Sequence, residues 1–158
     1  MNSEAVSQPK HDRPGVGIVV IVLSEDGRIL MGNNLKYELY GFPGGHLERY
    51  ESWEESGRRE LSEETSIEVA AKDLKFVIVN NIIAKKEGYH YVVPFLACKM
   101  PKDQEPKNTE PEKCGGWEWW TIEEMERRKS ELFYPIIVLL EKHSDVFNTE
   151  HLYKIVNR

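Results

Sequence analysis

The chain of 158 residues carries 27 acidic against 21 basic side chains, a formal charge of −6, with 40% apolar and 30% charged residues. That balance excludes a disordered chain. It also argues against broad binding of a nucleic acid polymer, which rests on Lys and Arg neutralising phosphates. A small phosphorylated ligand stays compatible, because a bound cation inverts the local charge.

Cys98 and Cys114 are too few for a disulfide framework and lie too far apart for a zinc-ligand pair, so they read as reduced thiols. The polar first residues lack the apolar core of a signal peptide. No apolar run approaches the ~18 residues of a membrane span. The expectation is a cytoplasmic protein with no membrane partner, residues 1–13 forming a flexible tail and 14–158 a single domain.

In chain order, the β-branched run GIVVIVL at 17–23 predicts a buried strand. Ser24-Glu25-Asp26-Gly27 is a turn, and 28–32 a returning strand. A polar stretch leads to Leu39-Tyr40-Gly41-Phe42 and then to Pro43-Gly44-Gly45, a loop signal. Residues 51–66 lack Pro, hold one Gly, and predict a helix. Strands are expected at 75–84 and 89–98, with a turn at 85–88 between them. Three prolines and many charges make 100–112 a long surface loop. A short aromatic strand follows at 116–121. Thr121-Ile122-Glu123-Glu124 then opens a helix with a capping residue and first-turn acids. A second apolar-faced helix is expected at 133–143. Strands interleaved with helices predict an α/β or α+β domain.

Within the helix at 51–66, Glu60, Glu63 and Glu64 stand at i, i+3 and i+4. They fall within roughly 100° of one helical face. Trp53, Gly57 and Leu61, spaced by four, form another stripe suited to packing on a sheet. A charged helix face is ordinarily just solvated. Three like charges on one face repel, however, and a hard cation with oxygen ligands relieves them.

Gly45 is followed by five residues, Glu51, seven residues, and then Arg59-Glu60-Leu61-Ser62-Glu63-Glu64-Thr65-Ser66-Ile67. This run closely resembles the Nudix box, G-x5-E-x7-R-E-U-x-E-E-x-G-U with U aliphatic, at eight of nine specified positions. A chance match at one starting position is on the order of 10⁻⁸. The departure is Ser66, where the family has Gly for a left-handed helix cap, so the helix is expected to end differently.

The resemblance implies an α/β/α sandwich with a mixed sheet and a hydrolase of diphosphate linkages. It implies that Glu60, Glu63 and Glu64 bind Mg2+, with Mn2+ as a possible substitute, and that a carbonyl of the Gly44-Gly45 loop joins them, Gly45 being the candidate. Arg59 belongs to the same catalytic set and pairs with Glu51 to steady the loop against the helix. Either Glu60 or Glu63 would activate water.

A second stretch of resemblance covers Gly41 to Glu48, Tyr89 to Val93, Glu105 to Asn108, Glu110 to Cys114 and Trp117-Glu118-Trp119. It is similar to the cytosolic MutT-homologue type of nucleotide diphosphatase. That likeness implies a homodimer acting on nucleoside or oxidised nucleoside triphosphates, releasing a monophosphate and pyrophosphate. A plant relative instead acts on a terpenoid diphosphate. The matching substrate positions are Gly41, Phe42, Gly44, Gly45, Val93, Pro135 and Ile136, with Lys36 as the nearby cation. Gly41 stands where the animal type has Gln, and Val93 where it has Thr. Asn33-Asn34 stands in place of the basic run. A sugar nucleotide or an isoprenoid diphosphate therefore stays open as substrate, as does a silent binding module. Phe42, Val93 and Ile136 could equally be core. Trp117, Trp119 and Trp120 read most simply as strand and core residues, although one could stack on a base. His46 and, less so, His90 could shuttle a proton, and one of Glu110 and Glu112 could reach the metal centre, although such residues are more simply structural or solvated.

Overall fold

A computed structural model describes residues 13–158. The expected tail lies outside the described residues except for Arg13, which is exposed. Among the described residues there are seven strands: β1 (Gly15–Leu23), β2 (Ile29–Asn34), β3 (Leu39–Gly41), β4 (Gly44–His46), β5 (Lys75–Ala84), β6 (Tyr89–Lys99) and β7 (Cys114–Trp120). Four α-helices accompany them: α1 (Trp53–Thr65), α2 (Ile122–Arg127), α3 (Tyr134–Lys142) and α4 (Thr149–Val156). The strands join in one sheet in the order β3-β2-β1-β6-β5, with β4 added on β1 and β7 on β2. β1 and β6 run parallel and the other pairs antiparallel, so the sheet is mixed as expected.

The β1 run is buried on both faces. Ile18, Val20 and Val22 point into a core with Leu61 and Ile67 under α1. Ile21 and Leu23 point the opposite way, into a core with Leu139, Leu152 and Ile155 under α3 and α4. Alternate side chains of one strand thus serve two helix layers, the α/β/α arrangement.

The stripe of α1 packs as its spacing predicts. Leu61 is fully buried. A Cβ on Gly57 would sit only 3.1 Å from Leu96 and 3.3 Å from Leu74 and Val20, so the helix axis lies close to the sheet. Ser52 caps the helix: its hydroxyl accepts from the Glu55 N–H at 3.1 Å, and the Glu55 carboxylate accepts from the Ser52 N–H at 2.7 Å. At the other end Ser66 takes φ 62° and ψ 8°, and its N–H donates to the Ser62 carbonyl. The left-handed cap forms without glycine, which corrects the expectation of a different ending. The surrounding chain imposes this conformation: Lys107 N–H donates to the Thr65 carbonyl at 2.8 Å, and Ile67 is fully buried just beyond.

Two features go beyond the sequence reading. The stretch around Pro43 is flanked by short strands, because the Pro43 carbonyl accepts from Val20 N–H at 2.8 Å and Gly44 to His46 pair with β1. α4 forms after residue 143, where no element was expected. Asn148 caps it by accepting from His151 N–H at 2.8 Å, and Leu152, Ile155 and Val156 bury its inner face. Eight residues are too few for a stable helix in isolation, so this packing supplies its stability. Among the described residues no helix is long and apolar enough to cross a membrane.

Candidate active site

β4 and α1 meet at one end of the sheet, and their contact is made by glycine. A Cβ on Gly45 would overlap the Glu60 carboxylate, and one on Gly44 would overlap the Ile18 carbonyl on β1. Only a bare backbone lets the loop lie this close to the acids of α1.

Arg59 organises those acids. Its Nε donates to Glu51 at 2.5 Å and Nη2 donates to the other Glu51 oxygen at 3.0 Å, a forked pair. Nη1 donates to Glu60 at 2.8 Å and Glu63 at 3.3 Å, while Nη2 also donates to the His46 carbonyl at 3.1 Å. This guanidinium holds the Glu51 carboxyl down at about 2. The carboxylates in turn push Arg59 further above its already high ordinary range. The expected Arg59–Glu51 pair is thus present, and it reaches the loop through His46.

Glu64 lies apart from this cation. Its carboxylate accepts from the Gly44 N–H at 3.0 Å. Burial raises its pKa to about 8, and the charges of Glu60 and Glu110 add to that rise, against the lowering effect of the Gly44 hydrogen bond. The three-acid face of α1 is therefore balanced in two ways: a guanidinium serves Glu60 and Glu63, and Glu64 tends to keep a proton. Among the described residues, no group of three His, Cys, Asp or Glu side chains converges as a ready-made metal cage. The donors are nevertheless all carboxylate oxygens beside exposed backbone, the chemistry that suits a hard divalent cation.

A cleft of about 590 Å³ opens over these residues. Glu60, Glu63, Glu64 and Arg59 line it, together with Gly41, Phe42, Gly44 and Gly45. Asn33, Trp117, Phe133, Glu110, Lys113 and Cys114 complete its lining. Gly32 and Gly41 pair across β2 and β3, and each has an aromatic ring packed on its bare backbone, Trp117 on Gly32 and Phe133 on Gly41. The Trp117 indole N–H donates to the Glu64 carbonyl at 3.3 Å, tying β7 to α1.

Four expected substrate residues do not line the cleft. Val93 is 2% exposed and Ile136 3% exposed, both within the core under α3 and α4. Pro135 lies in the first turn of α3, half-buried, and Phe133 just before the helix reaches the cleft instead. Lys36 projects from an exposed turn with its ammonium 5.1 Å from the Tyr37 ring centre. For Val93 and Ile136 the reason is burial: sequence similarity places a residue on an element, whereas packing decides which of its faces stays open.

His46 does line the cleft, and its Nε2 lies 2.8 Å from the Tyr91 hydroxyl. Phe133 and Lys113 were missed as site residues. Their only sequence signals were an aromatic before a proline-led helix and a lysine beside the Glu110-Pro111-Glu112 run. Both cysteines are free; burial lifts the Cys98 thiol to about 12, while Cys114 is half-buried in the cleft lining.

Comparison with known proteins agrees with this architecture. A MutT-like protein of Streptomyces ambofaciens is 30% identical over 130 residues, covering 82% of this chain and 77% of its own. The crystal structure of the MutT NUDIX hydrolase from Burkholderia pseudomallei superposes with a TM-score of 0.71 at 24% identity, over 84% of this chain and 99% of that one. A bifunctional NMN adenylyltransferase/ADP ribose pyrophosphatase from Francisella tularensis, complexed with AMP and a manganese ion, gives a TM-score of 0.64 at 20% identity, over 82% of this chain and 42% of that one. At these identities the two structures bear on the fold alone. The model of the NUDIX domain matches residues 13–138, from the start of β1 into α3 and across the whole cleft, and on that match the chain belongs to the Nudix family of hydrolases.

Proposed function

We propose that the chain is a divalent-metal-dependent nucleotide diphosphatase, hydrolysing nucleoside or oxidised nucleoside triphosphates to a monophosphate and pyrophosphate. One observation carries this reading. The three acids of α1 line a single cleft together with two aromatic residues, Trp117 and Phe133, whose rings pack over paired glycines. Acids serve a cation and its phosphates, and flat rings serve a base.

Glu60, Glu63 and Glu64 would hold magnesium, or manganese in its place, with the Gly45 carbonyl as a further donor. When bound, the cation polarises a phosphoryl oxygen, lowers the pKa of water and stabilises the leaving phosphate. Glu64 would serve the cation as the ionised carboxylate. Glu63, more exposed than Glu60, would accept the proton of the attacking water, with Glu60 as the alternative. Arg59 keeps both in register with the loop. Phe42 and Gly41 border the base side of the cleft. The same reading makes the enzyme a cytoplasmic homodimer, for which sedimentation at micromolar concentration is the check.

A second reading, hydrolysis of a sugar nucleotide or isoprenoid diphosphate, draws on a specific feature: Asn33 lines the cleft where a basic run is found in the similar nucleotide diphosphatases. The deciding experiment measures phosphate and pyrophosphate release with magnesium from nucleoside triphosphates, oxidised nucleotides, sugar nucleotides and isoprenoid diphosphates. Triphosphate turnover should dominate, and Glu64→Gln should lower kcat by about 10²- to 10³-fold, the scale of removing one charge-stabilising group from an active site. Activity confined to another diphosphate would move the assignment to the second reading. Absence of turnover on every substrate would sink both.

A further inference from the structure

Among the described residues two cations line the cleft, Arg59 and Lys113, and they differ in what is left for a ligand to use. Arg59 is spent. Its three nitrogens already serve Glu51, Glu60, Glu63 and the His46 carbonyl. Lys113 has one partner, Glu110, at 3.5 Å, and its side chain is 70% exposed. An ion pair this long and this wet contributes little. The ammonium can therefore exchange Glu110 for a stronger anion at small cost.

The backbone under Lys113 is fixed, in contrast to its side chain. Lys113 and Cys114 both donate their N–H to the Glu110 carbonyl at 2.9 Å, closing a tight turn. The Lys113 carbonyl accepts from Leu35 N–H at 2.9 Å, which ties the turn to the end of β2. Asn108 Nδ2 donates to the Cys114 carbonyl at 2.8 Å, and Thr109 Oγ1 donates to the Glu63 carbonyl at 2.5 Å. Two neighbours of the turn thus bind it to itself and to the last turn of α1. A flexible, charged arm on a rigid base beside the acid-lined end of a cleft is an anion hook whose anchor costs no ordering on binding.

Charge balance indicates what the hook would hold. The cleft is lined by five carboxylates, Glu48, Glu60, Glu63, Glu64 and Glu110. A polyphosphate is repelled by this wall except where a cation intervenes. A bound metal would serve the phosphates next to α1, and a phosphate further along needs a cation of its own. We propose that Lys113 is a specificity-determining residue that binds this outlying phosphate, so that substrates ending in a charged phosphate are favoured over diphosphates capped by a neutral group. The inference rests on the nucleotide-diphosphatase reading and deepens it. It would also supply a phosphate-binding cation in a chain with Asn33-Asn34 where the basic run would stand.

The test uses Lys113→Gln, Lys113→Arg and, as a control outside the cleft, Lys102→Gln, whose lysine is 84% exposed. Steady-state kinetics with magnesium compare a nucleoside triphosphate with a sugar nucleotide diphosphate. Calorimetry in parallel measures the Kd of a non-hydrolysable α,β-imido nucleoside triphosphate. Lys113→Gln should raise KM and Kd for the triphosphate compounds by about five- to tenfold, between the scale of an exposed ion pair and that of a charge-assisted hydrogen bond. Its kcat should stay within about twofold and its sugar-nucleotide KM should not move, as expected for loss of uniform binding. Lys113→Arg should restore affinity, and Lys102→Gln should match wild type. Unchanged triphosphate affinity in Lys113→Gln would overturn the proposal, as would an equal loss on both substrates or a loss that arginine does not rescue. Should wild type turn over nothing, the nucleotide-diphosphatase reading falls, while the analogue Kd still decides whether Lys113 binds phosphate.

Discussion

At the scale of single residues, Ser66 shows a local preference overruled. A non-glycine residue in the left-handed region pays roughly 1–2 kcal/mol in steric crowding of its Cβ. Ser66 sits there at φ 62° because the helix must end before Ile67 enters the core. Ser66→Gly should therefore stabilise the protein by about 0.5–1 kcal/mol, the relief being partly offset by glycine's extra freedom when unfolded. A urea midpoint unchanged or lowered in Ser66→Gly would show that the serine is held by something other than backbone necessity. The carboxylate pattern, by contrast, was legible residue by residue, because i, i+3 and i+4 neighbours share a face wherever a helix forms. What could not be read was how each acid is neutralised. Glu60 and Glu63 share Arg59 within α1 itself, but Glu64 rests on the Gly44 N–H, a contact that depends on β4 lying against α1.

At the scale of elements, the position of α1 over the sheet sets the site. Gly57 lets the helix approach until a single added carbon would touch Leu96, Leu74 and Val20. Gly57→Leu has no room there and must lift the helix. Overpacking of this kind costs about 1–3 kcal/mol. Because the loop at Gly45 touches Glu60 with no gap, lifting α1 also separates the acids from the loop. The expected outcome is a lower thermal midpoint together with a fall in kcat larger than the fraction unfolded explains. Stability lost with specific activity intact would show that the helix can shift without disturbing the cleft. Most elements were readable from their patterns: β5 runs from Lys75 to Ala84 as expected, and the aromatic strand and its capped helix follow in place. β4 and α4 were not, since three residues paired to β1 and eight residues packed on β5 and β6 take their stability from partners far away in sequence.

At the scale of the whole molecule, two acids of the site give stability opposite dependences on pH. Glu51 titrates near 2 in the folded chain against an ordinary value of 4.5, because the Arg59 guanidinium holds it ionised. Its contribution is complete above about pH 4.5 and is lost as pH falls through about 2. Glu64 is raised from 4.5 to about 8 by burial. The folded state there holds a proton that the unfolded chain releases, so its contribution is complete below pH 4.5 and is lost as pH rises through about 8. In chelator, chemical denaturation should therefore show stability declining from pH 5 toward pH 9, and Glu64→Gln should flatten that decline. A wild-type profile that is already flat over this range would mean that Glu64 is not held as an acid.

The sequence by itself determined the acid-bearing face of α1, the glycine loop that meets it, the alternation of strands and helices, and the membership that follows from them. Each is a local pattern: a helical period, a run of β-branched residues, or a pair of glycines that leaves room for a close approach. The tertiary structure alone decided the rest of the cleft's lining. Val93 and Ile136 turn inward beneath α3 and α4, while Trp117, Phe133 and Lys113 reach the opening from segments distant in the chain. A strand offers two faces and its sequence marks both as usable. Which face is covered depends on where the helices settle, and that is fixed by packing across the whole domain.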